Sequence, residues 1–204
     1  MRAYMRGQFA FLGIPSPERR RLTREALTGL PALDTAELLH LADRLWQLPE
    51  REYQYVACGL LSRGARRLEV ASVPTLEYLI TTKSWWDTVD VLATHVVGAL
   101  VLAHPELRAA MERWLGSENL WLARAAILHQ ERWGERTDAE WLFAACASRA
   151  GDRDFFIRKA IGWALRSYAR TGPMAVKAFV EAQGDRLSGL SRREALRGVA
   201  RAAG

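Results

Sequence analysis

Apolar positions recur along this chain with the three-to-four-residue spacing of amphipathic helices. Between Ala36 and Leu45, leucines occupy positions 38, 39, 41 and 45, directly after an Asp34-Thr35 pair of the kind that caps a helix N-terminus. Proline and glycine fall mainly between such segments. No segment alternates apolar and polar residues between turn residues, as a half-buried strand would. The pattern predicts an all-α protein.

The helical segments also repeat. Trp121-Leu-Ala-Arg-Ala-Ala-Ile aligns with Phe155-Phe-Ile-Arg-Lys-Ala-Ile 34 residues later; Tyr53 fits the same register 68 residues before Trp121, and Trp85-Trp86 falls near the midpoint. A period in the mid-thirties accommodates two helices and a turn, the unit of an α-solenoid. The repeat therefore predicts that Trp86, Trp121 and Phe155 begin successive inner helices. Aromatic residues at such spacing more often belong to a core than to a site, so the repeat alone assigns no function.

Composition adds a bias toward arginine. The 204-residue chain carries 29 Lys plus Arg against 23 Asp plus Glu, a formal net charge of +6, and its lysines are Lys83, Lys159 and Lys177. Guanidinium groups bind phosphate in a bidentate manner and stack on aromatic rings. The charge therefore favours an anionic partner, although a GC-rich genome that replaces Lys with Arg throughout would produce the same bias.

The other reactive residue types indicate no metal centre. Cys58 and Cys146 lie far apart in apolar helical surroundings, and the four histidines are scattered, so we expect buried free thiols and no metal or cofactor. We find no signal peptide, and no apolar run that approaches the roughly 20 residues needed to cross a bilayer. We expect a cytoplasmic protein without membrane contact.

The segment from Ser84 to Asp90 (Ser-Trp-Trp-Asp-Thr-Val-Asp) combines aromatic and acidic side chains. On a helix, Trp86 and Asp90 lie one turn apart on the same face. An indole beside a carboxylate suits a cation, whereas the arginine-rich surroundings suit a polyanion. The combination indicates a protein that holds a nucleic-acid backbone and stabilises positive charge forming on it. Asp87 is interpreted as an ordinary acid without a role, and Trp85 as a core residue.

Several blocks resemble the DNA alkylation repair family, the bacterial alkylpurine DNA glycosylases built from HEAT-like helical repeats. They extend from about Tyr4 to Arg193 and comprise Phe11-Leu-Gly-Ile with Pro17-Glu-Arg-Arg, Trp46-Gln-Leu-Pro-Glu-Arg-Glu, Thr82-Lys-Ser-Trp-Trp-Asp-Thr-Val-Asp, His104-Pro-Glu-Leu, Trp121-Leu-Ala-Arg-Ala-Ala-Ile-Leu and Phe155-Phe-Ile-Arg-Lys-Ala-Ile-Gly-Trp-Ala-Leu-Arg. The resemblance implies one domain over residues 1–204, a right-handed α-solenoid of HEAT-like repeats with a concave basic face. Relative to the family, we expect the first helix to be absent and Met1–Arg6 to begin the second.

The resemblance also implies an activity: hydrolysis of the N-glycosidic bond of alkylated purines, such as 3-methyladenine and 7-methylguanine, in double-stranded DNA for base excision repair. It implies a monomer that does not flip the base into a pocket. Asp90 would be the catalytic carboxylate, with Trp86 and Trp163 beside the deoxyribose of the lesion. The residues expected to contact DNA are Arg124, Arg166, Arg132 and Tyr4. No lysine is placed for Schiff-base chemistry, so we expect no lyase activity.

The chemistry of such lesions agrees with these roles. A purine alkylated on a ring nitrogen is cationic and already a good leaving group, so positive charge on the sugar is what the protein must stabilise. A carboxylate beside that sugar can do so and can orient water. The alternative is a non-catalytic HEAT-like scaffold that binds nucleic acid or protein. In the enzyme, Trp86, Asp90 and Trp163 converge on the basic face, whereas in a scaffold they point into separate parts of the core.

Overall fold

The computed structural model describes residues 4–202. Most of these residues are helical and none forms a strand, although an isolated bridge joins Ala10 and Glu50. The prediction of an all-α protein is confirmed. Within the described residues the α-helices are α1 (Ser16–Leu27), α2 (Thr35–Gln47), α3 (Arg51–Gly64), α4 (Val73–Thr81), α5 (Trp86–Val91), α6 (Gly98–Ala103), α7 (Arg108–Leu115), α8 (Leu120–Leu128), α9 (Ala139–Ser148), α10 (Phe155–Tyr168), α11 (Pro173–Gln183) and α12 (Gly189–Ala202). A π-helical segment, Leu92–Val97, joins α5 and α6 into one continuous helix.

From α2 onward the helices form consecutive pairs. The second helices of these pairs (α3, α5, α8, α10 and α12) begin at residues 51, 86, 120, 155 and 189, so successive starts lie 35, 34, 35 and 34 residues apart. Each contacts the equivalent helix of the next pair: α3 contacts α5, α5 contacts α8, α8 contacts α10, and α10 contacts α12. Stacking of equivalent helices is the arrangement of helical-repeat proteins. The predicted repeat is confirmed, whereas its right-handed twist, its concave basic face and the single domain over 1–204 stay predictions.

Three tryptophan side chains tie neighbouring repeats together. A buried indole N–H usually has an acceptor, and each of these three finds one on the adjacent repeat. The bonds run from Trp46 to the carbonyl of Thr82 (2.8 Å), from Trp114 to the carboxylate of Glu77 (3.1 Å) and from Trp133 to the carbonyl of Gly98 (3.0 Å). Part of the tryptophan content of the chain is therefore structural.

The continuous helix Trp86–Ala103 is long and apolar enough, by length and composition alone, to cross a membrane. It comprises 18 residues with a mean hydropathy of 1.4, and 56% of it is buried inside the protein. The sequence pattern led us to expect no apolar run close to this length. Because the helix is central to the stack and touches α3 and α8, its apolar side chains serve the core, and the hydropathy is weak evidence for a membrane span.

The N-terminal segment differs from its expectation. Residues 1–3 of the expected helix Met1–Arg6 lie outside the described part, and residues 4–7 form a turn. Arg6 and Gly7 have positive φ angles of 52° and 69°, which a right-handed helix cannot contain. The helix expected here is therefore wrong for the described residues. Met5 is nevertheless buried, so the turn is fixed against the fold.

Both cysteines are free and buried, as predicted. Burial raises the pKa of each thiol, Cys58 and Cys146, to about 12, which keeps them protonated and unreactive. Among residues 4–202, no group of three or more His, Cys, Asp or Glu side chains is placed to hold a metal ion.

Candidate active site

Side chains of α5, α8 and α10, together with the N-terminal turn and the residue before α5, line a cavity of about 470 Å³, here called the site cavity. The predicted site residues in its lining are Tyr4, Trp86, Asp90, Arg124, Trp163 and Arg166. The remaining lining residues are Arg6, Trp85, Phe155, Phe156 and Lys159. Trp86, Asp90 and Trp163 thus converge on one cavity together with several cationic side chains, rather than pointing into separate parts of the core.

Asp90 lies one turn after Trp86 on α5 and is paired with Arg124 of α8. The guanidinium donates through Nε to Oδ1 (2.7 Å) and through Nη2 to Oδ2 (2.8 Å). Its Nη1 donates to the carbonyl of Phe156 at 2.5 Å. Arg124 is 3% exposed and Asp90 13%. Arg124 therefore links three successive repeats and fixes the carboxylate. This contact was not foreseen, and the predicted phosphate contact of Arg124 stays a prediction.

Burial raises the pKa of Asp90, and the hydrogen bond and charge of Arg124 oppose this rise. The carboxylate is thus poorly hydrated, and its charge is compensated by one guanidinium. In such surroundings an anion interacts with a nearby positive charge more strongly than it would in water. The arrangement suits stabilisation of a cation that forms inside the cavity.

A second ion pair fixes the beginning of α5. Arg51 of α3 is fully buried and donates through Nε (3.0 Å) and Nη2 (2.6 Å) to the carboxylate of Asp87. Its Nη1 donates to the carbonyl of Lys83 at 2.8 Å, and Tyr55 donates to Asp87 at 2.6 Å. Asp87, interpreted from the sequence as an ordinary acid, is therefore buried and structural. This network sets where α5 starts and hence where Trp86 and Asp90 lie.

Aromatic side chains form two walls of the site cavity. Trp85 packs against Trp121 and Phe156, with ring centroids 5.8 and 5.2 Å apart. The ring of Tyr4 meets Trp86 edge to face at 5.8 Å. The interpretation of Trp85 as a core residue is wrong, because its extended backbone (φ −160°, ψ 157°) places it before the helix rather than on it. It is half-buried and lines the cavity.

The two cations of α10 that line the cavity are paired with one carboxylate of α12. Lys159 lies one turn before Trp163, and its Nζ donates to Glu194 at 2.9 Å. Arg166, one turn after Trp163, forms an ion pair with the other oxygen of Glu194. The sequence interpretation gave no lysine a place in the site. Lys159 could have been found by its spacing of four from Trp163, whereas nothing in the sequence alone points to Glu194.

Arg132 lies outside the site cavity. Its side chain is exposed, after the end of α8, and it lines a separate cavity of about 250 Å³ with Glu131, Ser167 and Arg170. A contact of Arg132 with DNA stays a prediction.

Comparisons with known proteins identify the family of this chain. The family model described as "DNA alkylation repair enzyme" matches residues 1–199. A solved structure titled as a predicted DNA alkylation repair enzyme from Enterococcus faecalis is 35% identical with a TM-score of 0.87, covering 96% of this chain and 91% of that one. AlkD2 from Streptococcus mutans is 19% identical with a TM-score of 0.65, covering 89% and 88%, and supports the fold alone. No curated protein matches significantly. The family match over nearly the whole chain, together with the Enterococcus relative, shows that this chain belongs to the DNA alkylation repair enzyme family.

Proposed function

We propose that the protein is a DNA glycosylase that hydrolyses the N-glycosidic bond of cationic alkylated purines, such as 3-methyladenine and 7-methylguanine, in duplex DNA. It acts as a monomer, without a cofactor, at the start of base excision repair. The observation that carries the proposal is the single cavity in which Asp90, Trp86 and Trp163 meet cationic side chains.

The reaction needs these residues to stabilise positive charge on the sugar and to orient the attacking water. The bond between C1′ and the purine nitrogen breaks, and its electron pair neutralises the positive charge of the base, so no general acid is required. The sugar becomes positively charged, and Asp90 stabilises this charge and orients the water that adds to C1′. The proton of that water passes to Asp90 or to solvent. The faces of Trp86 and Trp163 add cation–π attraction of about 1–2 kcal/mol when water is excluded.

The cationic side chains of the site cavity are suited to binding the phosphates of the DNA backbone. Arg6, Lys159 and Arg166 line the same cavity as Asp90, and such side chains bind phosphates by charge-assisted hydrogen bonds. Selectivity then comes from the charge and lability of the lesion. Neutral lesions such as hypoxanthine are expected to be poor substrates.

The test is release of free base from duplex DNA containing 7-methylguanine, measured by chromatography for the wild type, Asp90→Asn and Glu112→Gln. Loss of the catalytic carboxylate is expected to lower the rate constant at saturating protein about a hundredfold or more. Glu112→Gln is the control, because it removes the charge of an exposed carboxylate, 58% exposed, that does not line the cavity. It is expected to keep the rate constant within about twofold of the wild type.

Equal release by the wild type and Asp90→Asn would refute the role of Asp90. No release by the wild type, with duplex binding intact, would refute the glycosylase and favour a nucleic-acid-binding scaffold.

A further inference from the structure

Glu194 is a buried carboxylate that holds three cations. Its side chain is 5% exposed, and it pairs with Lys159 at 2.9 Å, with Arg197 at 3.3 Å and closely with Arg166. Lys159 and Arg166 line the site cavity, whereas Glu194 lies behind them. Within residues 4–202, Glu194 is the one carboxylate that contacts either of the two. The positive charge of this side of the cavity is therefore controlled from α12.

Two glycines explain how Glu194 reaches this place. A Cβ added at Gly162 of α10 would lie 2.7 Å from the Cβ of Glu194, and one added at Gly198 of α12 would lie 2.6 Å from the carbonyl oxygen of Arg166. The two helices thus approach closely, with Glu194 opposite the middle of α10 and between Lys159 and Arg166. A buried carboxylate is tolerated only when paired. The hydrogen bond from Lys159, followed by the charge of Arg166, lowers the pKa of Glu194, so it is ionised at neutral pH.

In the proposed reaction the positive charge of Lys159 has two opposing effects. Phosphate binding gains from every cation in the cavity, but formation of a positively charged sugar is opposed by each of them. Asp90 already has a guanidinium as its partner. An additional ammonium free to move toward Asp90 would compete with the sugar cation for the same carboxylate.

We propose that Glu194 is a positioning residue that holds Lys159 and Arg166 along α10, so that they bind the DNA backbone while their charge stays away from Asp90. This inference rests on the proposed glycosylase function. It predicts that binding and chemistry respond in opposite directions when the charge of Glu194 is removed, which a merely structural role would not produce.

The test compares Glu194→Gln with the wild type in two assays. Binding to undamaged duplex DNA, measured by fluorescence anisotropy, is expected to tighten about threefold to tenfold, because the face becomes more positive. Base release from 7-methylguanine DNA at saturating protein is expected to slow about tenfold, because a freed cation opposes the transition state. Adding Lys159→Met to Glu194→Gln is expected to restore the rate constant to within about threefold of the wild type. Arg197→Gln, which removes the partner outside the cavity, is the matched control and should leave the excision rate constant within twofold.

A Glu194→Gln protein that melts like the wild type but loses both affinity and rate would overturn the proposal. If Glu194→Gln does not fold, Lys159→Met alone decides: weaker duplex binding with a rate constant about threefold higher supports the proposal, and a tenfold lower rate constant overturns it. If the wild type itself releases no base, the proposed glycosylase activity is refuted independently of the role of Glu194. The binding assay then still decides whether Glu194 restrains the two cations.

Discussion

Arg124→Gln tests the ion pair at the centre of the site. Its two partners are 3% and 13% exposed, so water cannot replace the lost guanidinium. Removing one partner of a buried pair costs about 3–5 kcal/mol, and for a protein of this size each kcal/mol lowers the Tm by about 2–4 °C. We therefore expect the Tm at neutral pH to fall by about 6–20 °C. Arg108→Gln is the control, because Arg108 is 55% exposed in its pairs with Glu112 and Asp138 and such pairs contribute about 1 kcal/mol or less.

The pH dependence of the stability of Arg124→Gln distinguishes loss of the Asp90 ion pair from a simple loss of phosphate binding. Burial raises the pKa of Asp90 and Arg124 opposes it, so in Arg124→Gln the pKa of Asp90 moves further up. Above that pKa the unpaired carboxylate is charged and the full destabilisation is present. As the pH falls through it, Asp90 becomes neutral and the difference in unfolding free energy between the two proteins shrinks.

In the proposed mechanism Asp90 acts when ionised, so the acid limb of the excision rate profile should move to higher pH for the same reason. The measurements are calorimetric melts and excision rates between about pH 5 and 8. A Tm within 2 °C of the wild type, roughly the effect of under 1 kcal/mol, or an unshifted acid limb, would refute the reasoning.

Two further predictions concern packing and DNA binding. A methyl group added at Gly98 would collide with the carbonyl oxygen of His129, so Gly98→Ala is expected to destabilise by about 1–3 kcal/mol. Gly59→Ala, with open space around its Cβ, is expected to stabilise by about 0.5–1 kcal/mol; urea denaturation measures both, and equal effects would contradict the close packing. Arg132→Gln is expected to reduce the slope of log affinity for duplex DNA against log salt by about 0.9, and an unchanged slope in anisotropy titrations would contradict a phosphate contact.

What the sequence could predict here depends on periodicity. The spacing between Trp86 and Asp90 and between Trp163 and Arg166 fixes shared helix faces without any tertiary information. The repeat likewise predicted where successive helices begin. The position of Trp85 could not be predicted in this way, because its extended backbone removes it from the helical pattern.

The ion pairs between repeats were missed although the sequence contained a usable signal. Arg124 follows Asp90 by 34 residues and Glu194 follows Lys159 by 35. Both separations are one repeat, which brings equivalent positions of adjacent helices together. Opposite charges one period apart on the second helices of a repeat stack therefore predict such pairs. Glu194 also pairs with Arg166, which precedes it by 28 residues. This separation is shorter than one repeat, and the pair is explained only by the close contact of α10 and α12 at Gly162 and Gly198.

In the proposed function, Asp87 and Asp90 show how one kind of ion pair between repeats can serve both stability and chemistry. Each is a carboxylate of α5 with a bidentate arginine from a neighbouring repeat, and the two are similarly buried, at 8% and 13% exposed. The two carboxylates differ in which of their oxygen lone pairs remain free and in whether they line the site cavity. One oxygen of Asp87 also accepts a hydrogen bond from Tyr55, and Asp87 does not line the cavity.

Asp90 accepts hydrogen bonds from Arg124 alone among the described side chains and lines the cavity beside two indoles. Its remaining lone pairs can therefore face a forming cation or a water molecule. The same kind of ion pair stabilises one repeat junction away from the site cavity and, in the proposed function, prepares the carboxylate at the next. The proposed difference between support and catalysis therefore lies in access to the site cavity rather than in the ion pair itself.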